Sequence, residues 1–134
     1  MMTLALVTLL LSDASALPGS VGFHRWNDRV MLIFSPAEDD PRLEHFDARL
    51  ESLACAVDNR DLVVYRYAGP AGAGKEGPRR IYGIEEDAFV VVLIGKDGGE
   101  KYRAEGAVDP RDVLGIIDAM PMRRAEAAGD RPCP

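Results

Sequence analysis

Apolar residues along this chain follow two periods. Unbroken runs occur at "RVMLIFS" (29–35) and "AFVVVLIG" (88–95). Both have strand length, and the pattern is that of a strand buried on both faces. Between them Leu43, Phe46, Leu50, Leu53 and Val57 recur at spacings of three and four, which predicts one amphipathic helix. Its start is marked by Asp40 as N-cap and Pro41 at the first helical position. After the turn "DNRD", "LVVYRY" (62–67) predicts a second strand, and "RRIYGI" (79–84) a short helical remnant. "KDGG" (96–99) is an Asp-Gly hairpin turn from the third strand into a polar fourth, "EKYRAE" (100–105). Asp109 and Pro110 open a last helix with Val113, Ile116, Ile117 and Met120 on its stripe. A right-handed crossover makes the first two strands parallel, and the hairpin makes the last two antiparallel.

The two ends of the chain read differently from its middle. Residues 1–16 carry a short apolar run from Leu4 to Leu11 and a small-x-small sequence ending at Ala16, the pattern of a secretory signal peptide. The run falls well short of the roughly 20 apolar residues that span a bilayer, so stable membrane insertion is not expected. Its weak point is an n-region without Lys or Arg, and the alternatives are a misassigned start or a buried N-terminal strand. A lead-in segment, 17–24, follows, and with the residues after it brings Phe23 and Trp26 over one end of the core. One domain is expected over 25–122, and a flexible tail over 123–134, where no apolar period persists.

With 134 residues and 47% hydrophobic content the chain builds one core and no more. A net charge of −6 argues against a nucleic-acid binder that must neutralise phosphates. The signal-like residues 1–16 make the periplasm or the medium the expected location. There an oxidising environment permits a bridge between the two cysteines, Cys55 and Cys133.

From Arg29 to Met120 the order of elements resembles thioredoxin-like proteins: an α/β domain with a central mixed four-stranded sheet and flanking helices. The anchors are "RVMLIF", "YGI" at Tyr82 to Ile84, and "VVVLIGKDGG". A thioredoxin carries Cys-Gly-Pro-Cys where this chain has Asp39-Asp40-Pro41-Arg42, and a cis-proline before the third strand where this chain has "EEDAFV". The proline of the motif is kept and both cysteines are gone. Disulfide exchange needs a thiolate at the helix N-terminus and a second thiol to resolve it, so that activity is excluded. "RWNDRVMLIFSP", "DLVVYRY", "LIGKDGGEKYR" and "IDAMPMRR" together resemble a thioredoxin-like family of domains of unknown function, number 4174 of that series. Its members are short exported bacterial proteins and extracellular sushi-repeat and coiled-coil-domain proteins. The resemblance implies a fold and an extracytoplasmic setting, and no activity.

Several candidate sites follow from residue chemistry. Gly69, Gly74 and Lys75 have the spacing of a phosphate-binding loop, but Glu76 stands where Ser or Thr should hold Mg²⁺, and Gly77-Pro78 breaks the required helix. Nucleotide binding is rejected. Glu38, Asp39 and Asp40, followed by Arg42, lie at a helix N-terminus, where the macrodipole favours carboxylates. They are a solvated cap or, on the sharper reading, an interaction surface kept after the thiols were lost. His24 and His45 are the only histidines, and one imidazole with mobile acids ligates zinc poorly. Cys55 lies off the apolar stripe beside Glu44 and Glu51, which would make its thiol sluggish. It is bridged to Cys133 or a half-exposed spectator. Lys96, Lys101 and Arg103, with Arg123 and Arg124, are a basic patch or, preferably, protection of an exposed edge.

The function expected from the sequence is a non-catalytic, exported binding module. Its candidate surface is Glu38, Asp39, Asp40 and Arg42, its partner another exported protein, and no cofactor or metal is implied. The alternative is a thiol-dependent redox or peroxide-handling enzyme using Cys55.

Overall fold

The computed structural model describes residues 22–69 and 77–134. The signal-like segment and the Gly74-Lys75 part of the glycine loop lie outside the described residues. Four strands, β1 (Arg29–Ser35), β2 (Leu62–Ala68), β3 (Val90–Ile94) and β4 (Glu100–Glu105), form one mixed sheet in the order β2-β1-β3-β4. β1 pairs parallel with β2 and antiparallel with β3, and β3 pairs antiparallel with β4. Both central strands are buried along their whole length, as their unbroken apolar runs require. Their side chains alternate. Met31, Ile33, Val91 and Leu93 meet one core cluster, and Val30, Leu32, Phe34, Val90 and Val92 the other.

Helix α1 (Pro41–Ser52) lays Leu43, Phe46 and Leu50 on the first face, and α4 (Pro110–Asp118) adds Val113, Leu114 and Ile117 beside them. The second face is covered by Ile84 and Ala88 with Tyr65, Tyr67 and Tyr82, next to the one-turn helix α3 (Pro78–Ile81). Burying each large apolar side chain contributes about 1.5–3 kcal/mol, so the first face, with two helices, carries more of the core.

Four expectations need correction. The helix of the long stripe is broken at Leu53, whose backbone leaves helical geometry (φ −107°, ψ 17°), and a separate helix α2 (Ala54–Asn59) follows. Phe23 and Trp26 do not cover the core: they are 79% and 60% exposed. The tail is not loose. Residues Pro121–Glu126 form a helix, α5, a 3₁₀ turn follows at Ala127–Gly129, and Arg123 is buried. Ion pairs replace the missing apolar period there: Arg29 and Lys96 both hold Glu126, and Arg123 holds Asp118 and Asp130. Fourth, Lys96 and Arg123 are buried in ion pairs and take no part in the preferred edge protection, while Lys101 and Arg103 do sit on the edge strand β4, paired with Asp97 and Glu100.

Candidate functional site: the amino-terminal end of the first helix

β1 delivers the chain to the site through Ser35, fully buried, whose Oγ donates to the Ala37 carbonyl (2.7 Å) and folds the turn that follows. Asp40 then caps α1: its Oδ1 accepts from the Arg42 backbone N–H at 2.8 Å. The same carboxylate takes a two-pronged contact from the Arg42 guanidinium, Nε to Oδ1 at 3.0 Å and Nη2 to Oδ2 at 2.8 Å. Arg42 also lies over the buried ring of Phe89, 5.7 Å from its centroid. Phe89 belongs to the "EEDAFV" segment, so the two sequence regions that mark a thioredoxin's redox centre do meet here. They meet as an ion pair over an aromatic ring.

The surrounding charge is acidic. The Arg42 side-chain hydrogen bond holds the Asp40 carboxyl below its ordinary value, helped by the backbone donor and opposed by desolvation. The Asp40 bond in turn raises Arg42, and the charges of Asp87 and Glu105 add to it. Asp87 and Glu105 are exposed, as are Glu38 and Asp39, so one guanidinium sits within a rim of carboxylates. The sequence had marked Glu38, Asp39, Asp40 and Arg42. It missed Asp87, Glu105 and Phe89, although the position before the third strand was the available signal.

Both sulfur atoms lie elsewhere. Cys55, on α2, is joined to Cys133 by a disulfide (S–S 2.06 Å). This settles the alternatives for Cys55: it is a bridge and not a spectator thiol. Asn59 clamps the same segment, donating to the Arg131 carbonyl (2.7 Å) and accepting from its N–H (2.9 Å), and Arg131 pairs with Asp58. With a rise of about 1.5 Å per residue, α1 alone sets the bridge about 18 Å from its N-terminus. His45 is exposed on α1, His24 bonds Asp28 and Tyr65, and among the described residues no group of three His, Cys, Asp or Glu could hold a metal ion.

The sequence profile of the family described as Domain of unknown function (DUF4174) matches residues 22–126. The chain belongs to this family. Among solved structures it is similar to the crystal structure of Trgpx in apo form (TM-score 0.53, 16% identity, 83% of this chain and 87% of that one). It is also similar to Plasmodium yoelii Prx1a modified at the N-terminus (TM-score 0.50, 17% identity, 85% of this chain and 83% of that one). At these identities the likeness carries the thioredoxin fold alone. No curated protein sequence matches the chain. Among the described residues no helix is long and apolar enough to cross a membrane.

Proposed function

We propose that this DUF4174 domain is an exported, non-catalytic binding module that holds a polypeptide against the rim of Glu38, Asp39, Asp40 and Arg42. The observation that carries the reading is the occupant of the redox position: Asp40 and Arg42 satisfy one another and cap the helix, leaving no group there to exchange a disulfide. The Cys55–Cys133 bridge supports an oxidising compartment, in keeping with the signal-like N-terminus. The carboxylate rim favours a basic segment in the partner, which is another exported protein.

Peroxide handling at Cys55 would need that bridge opened and a thiolate activated nearby. The cations on its segment are already paired, Arg131 with Asp58 and Arg60 with Asp118. Site-specific photo-crosslinking tests the proposal, with the crosslinker at Glu38 and a control at exposed Arg124. A discrete adduct from Glu38 alone, lost when the exposed rim carboxylates are reversed by Asp39→Lys and Asp87→Lys, is expected. Equal labelling from both positions, or an adduct indifferent to charge reversal, would sink it.

A further inference from the structure

The two edges of the sheet are built differently. β4, at one edge, carries Glu100, Lys101, Arg103 and Glu105, charges of the kind that discourage pairing with a foreign strand. β2, at the other, reads LVVYRYA, mainly β-branched and aromatic with Arg66 as its one charge. Two backbone bonds assign its open side. The Asp61 carbonyl accepts from the Arg29 N–H at 2.8 Å, and the Gly69 N–H donates to the Ser35 carbonyl at 3.0 Å, so both groups face β1. A trans peptide points its N–H and C=O opposite ways and a strand alternates, so Leu62, Val64, Arg66 and Ala68 turn their backbone groups outward. Among the described residues no strand pairs with that side.

The surroundings of the open side select what covers it. A groove of about 450 Å³ lies between β2 and helices α1 and α2, lined by Asp47, Leu50, Glu51, Ala54, Val57 and Arg66. Asp47 holds Arg66 at 2.7 Å, and Glu51 is exposed with no ion pair among the described residues. Glu44, exposed and two turns nearer the rim, continues the same side of α1, so an acidic ridge follows β2. The edge also reaches the rim: Ala68 is in register with Ser35, whose turn leads into Asp40. A second copy does not suit this edge. Antiparallel pairing of β2 with itself sets the two ridges side by side on one face, acid against acid, between chains that each carry a net charge of −6.

We infer that the partner polypeptide docks as an added strand on the free edge of β2, with basic side chains over the ridge of Glu44, Asp47 and Glu51. The inference rests on the polypeptide partner proposed above and names how its chain is held. The outward N–H and C=O groups supply main-chain hydrogen bonds that any extended segment can make. Selection comes from the side chains, since every second residue of an added strand falls on the face of the ridge and groove. The apolar floor of that groove, Leu50, Ala54 and Val57, receives the stems of Lys or Arg while their charged heads meet the carboxylates.

The test titrates the oxidised full chain with a peptide the length of β2 in which Lys and Val alternate, and follows backbone amide exchange residue by residue. In the free protein the outward Val64 and Arg66 amides should exchange quickly, and saturating peptide should slow both about tenfold or more. The same peptide with Glu in place of Lys should bind about tenfold more weakly. Arg66→Pro removes an outward donor and takes no bond from β1, so it should weaken the Lys peptide about tenfold, whereas Arg66→Ala, which keeps the amide, should not. Glu44→Lys with Glu51→Lys, both at exposed helix positions, should reverse the preference between the two peptides. Val64 and Arg66 amides already protected in the free protein, no added protection with the Lys peptide, or indifference to the sign of the peptide's charge would each overturn the docking mode. A Glu38 crosslink obtained beside any of those results would leave the rim standing without the edge, and protected β2 amides without that crosslink would leave the edge standing without the rim.

Discussion

Asp40 serves two donors with one carboxylate, the Arg42 backbone amide and the Arg42 guanidinium, and the two are not worth the same. The backbone contact satisfies one of the helix's orphan N–H groups, and losing such a cap costs about 1 kcal/mol. The side-chain contact is a partly exposed ion pair, of the kind worth about 0–1 kcal/mol. Asp40→Ala should therefore lower the unfolding free energy by about 1 kcal/mol, and Arg42→Ala by less, in matched urea titrations. The reverse ranking would mean that the ion pair and its contact with Phe89 dominate. The cap was legible in the sequence because Asp-Pro before an apolar stripe is a local signal. The Phe89 contact was not, because it joins residues far apart in the chain, and only the fold brings them together.

At the scale of elements, the carboxy-terminal segment is where pattern reading failed. Periodicity reports apolar burial, and this segment is anchored instead by charge and covalent linkage. Glu126 is shared between Arg29 and Lys96, whose side chains are 1% and 8% exposed. Removing the partner of a fully buried charge costs about 3–5 kcal/mol, and Glu126, 24% exposed, falls short of that, whereas the solvent-screened pair of Lys101 with Asp97 adds little. Glu126→Ala should thus destabilise the protein several times more than Asp97→Ala, as read from denaturation midpoints. Replacing both Cys55 and Cys133 with Ser opens a loop spanning a sequence separation of 78 and should cost about 2–4 kcal/mol. A loss near zero would show that the ion pairs hold the segment unaided. By contrast, every strand and the hairpin were legible, since both buried central strands and the Asp-Gly turn write themselves in consecutive residues. The break at Leu53 was not, because the apolar stripe continues across it while the backbone does not.

For the whole molecule, the many paired acids give stability a definite pH dependence. Asp40, Asp118, Glu126 and Asp130 all have pKa values below the ordinary 3.8 for Asp and 4.5 for Glu, and Asp109, bonded by Arg111, falls to about 2. As pH falls the unfolded chain takes up these protons first. Their contribution is complete above about pH 5 and is lost from pH 4.5 down through pH 2. Burial also raises the Tyr67 phenol above its ordinary 10, so the folded state keeps that proton longer and loses stability as pH rises past 10. Thermal midpoints measured across pH should show a plateau bounded on those two sides, and a midpoint that rises below pH 4 would contradict the ion-pair account. The fold divides its chemistry: an ion pair occupies the end where thioredoxins keep their thiols, and both sulfurs are spent on a bridge at the other end. The most direct measurement is the intact mass of the full chain after alkylation, with and without reductant and with low peroxide. With the bridge in place no alkylation is expected until reductant is added, then two adducts, and no mass change with peroxide. A free Cys55 that low peroxide oxidises stoichiometrically would contradict it and make thiol chemistry the protein's function.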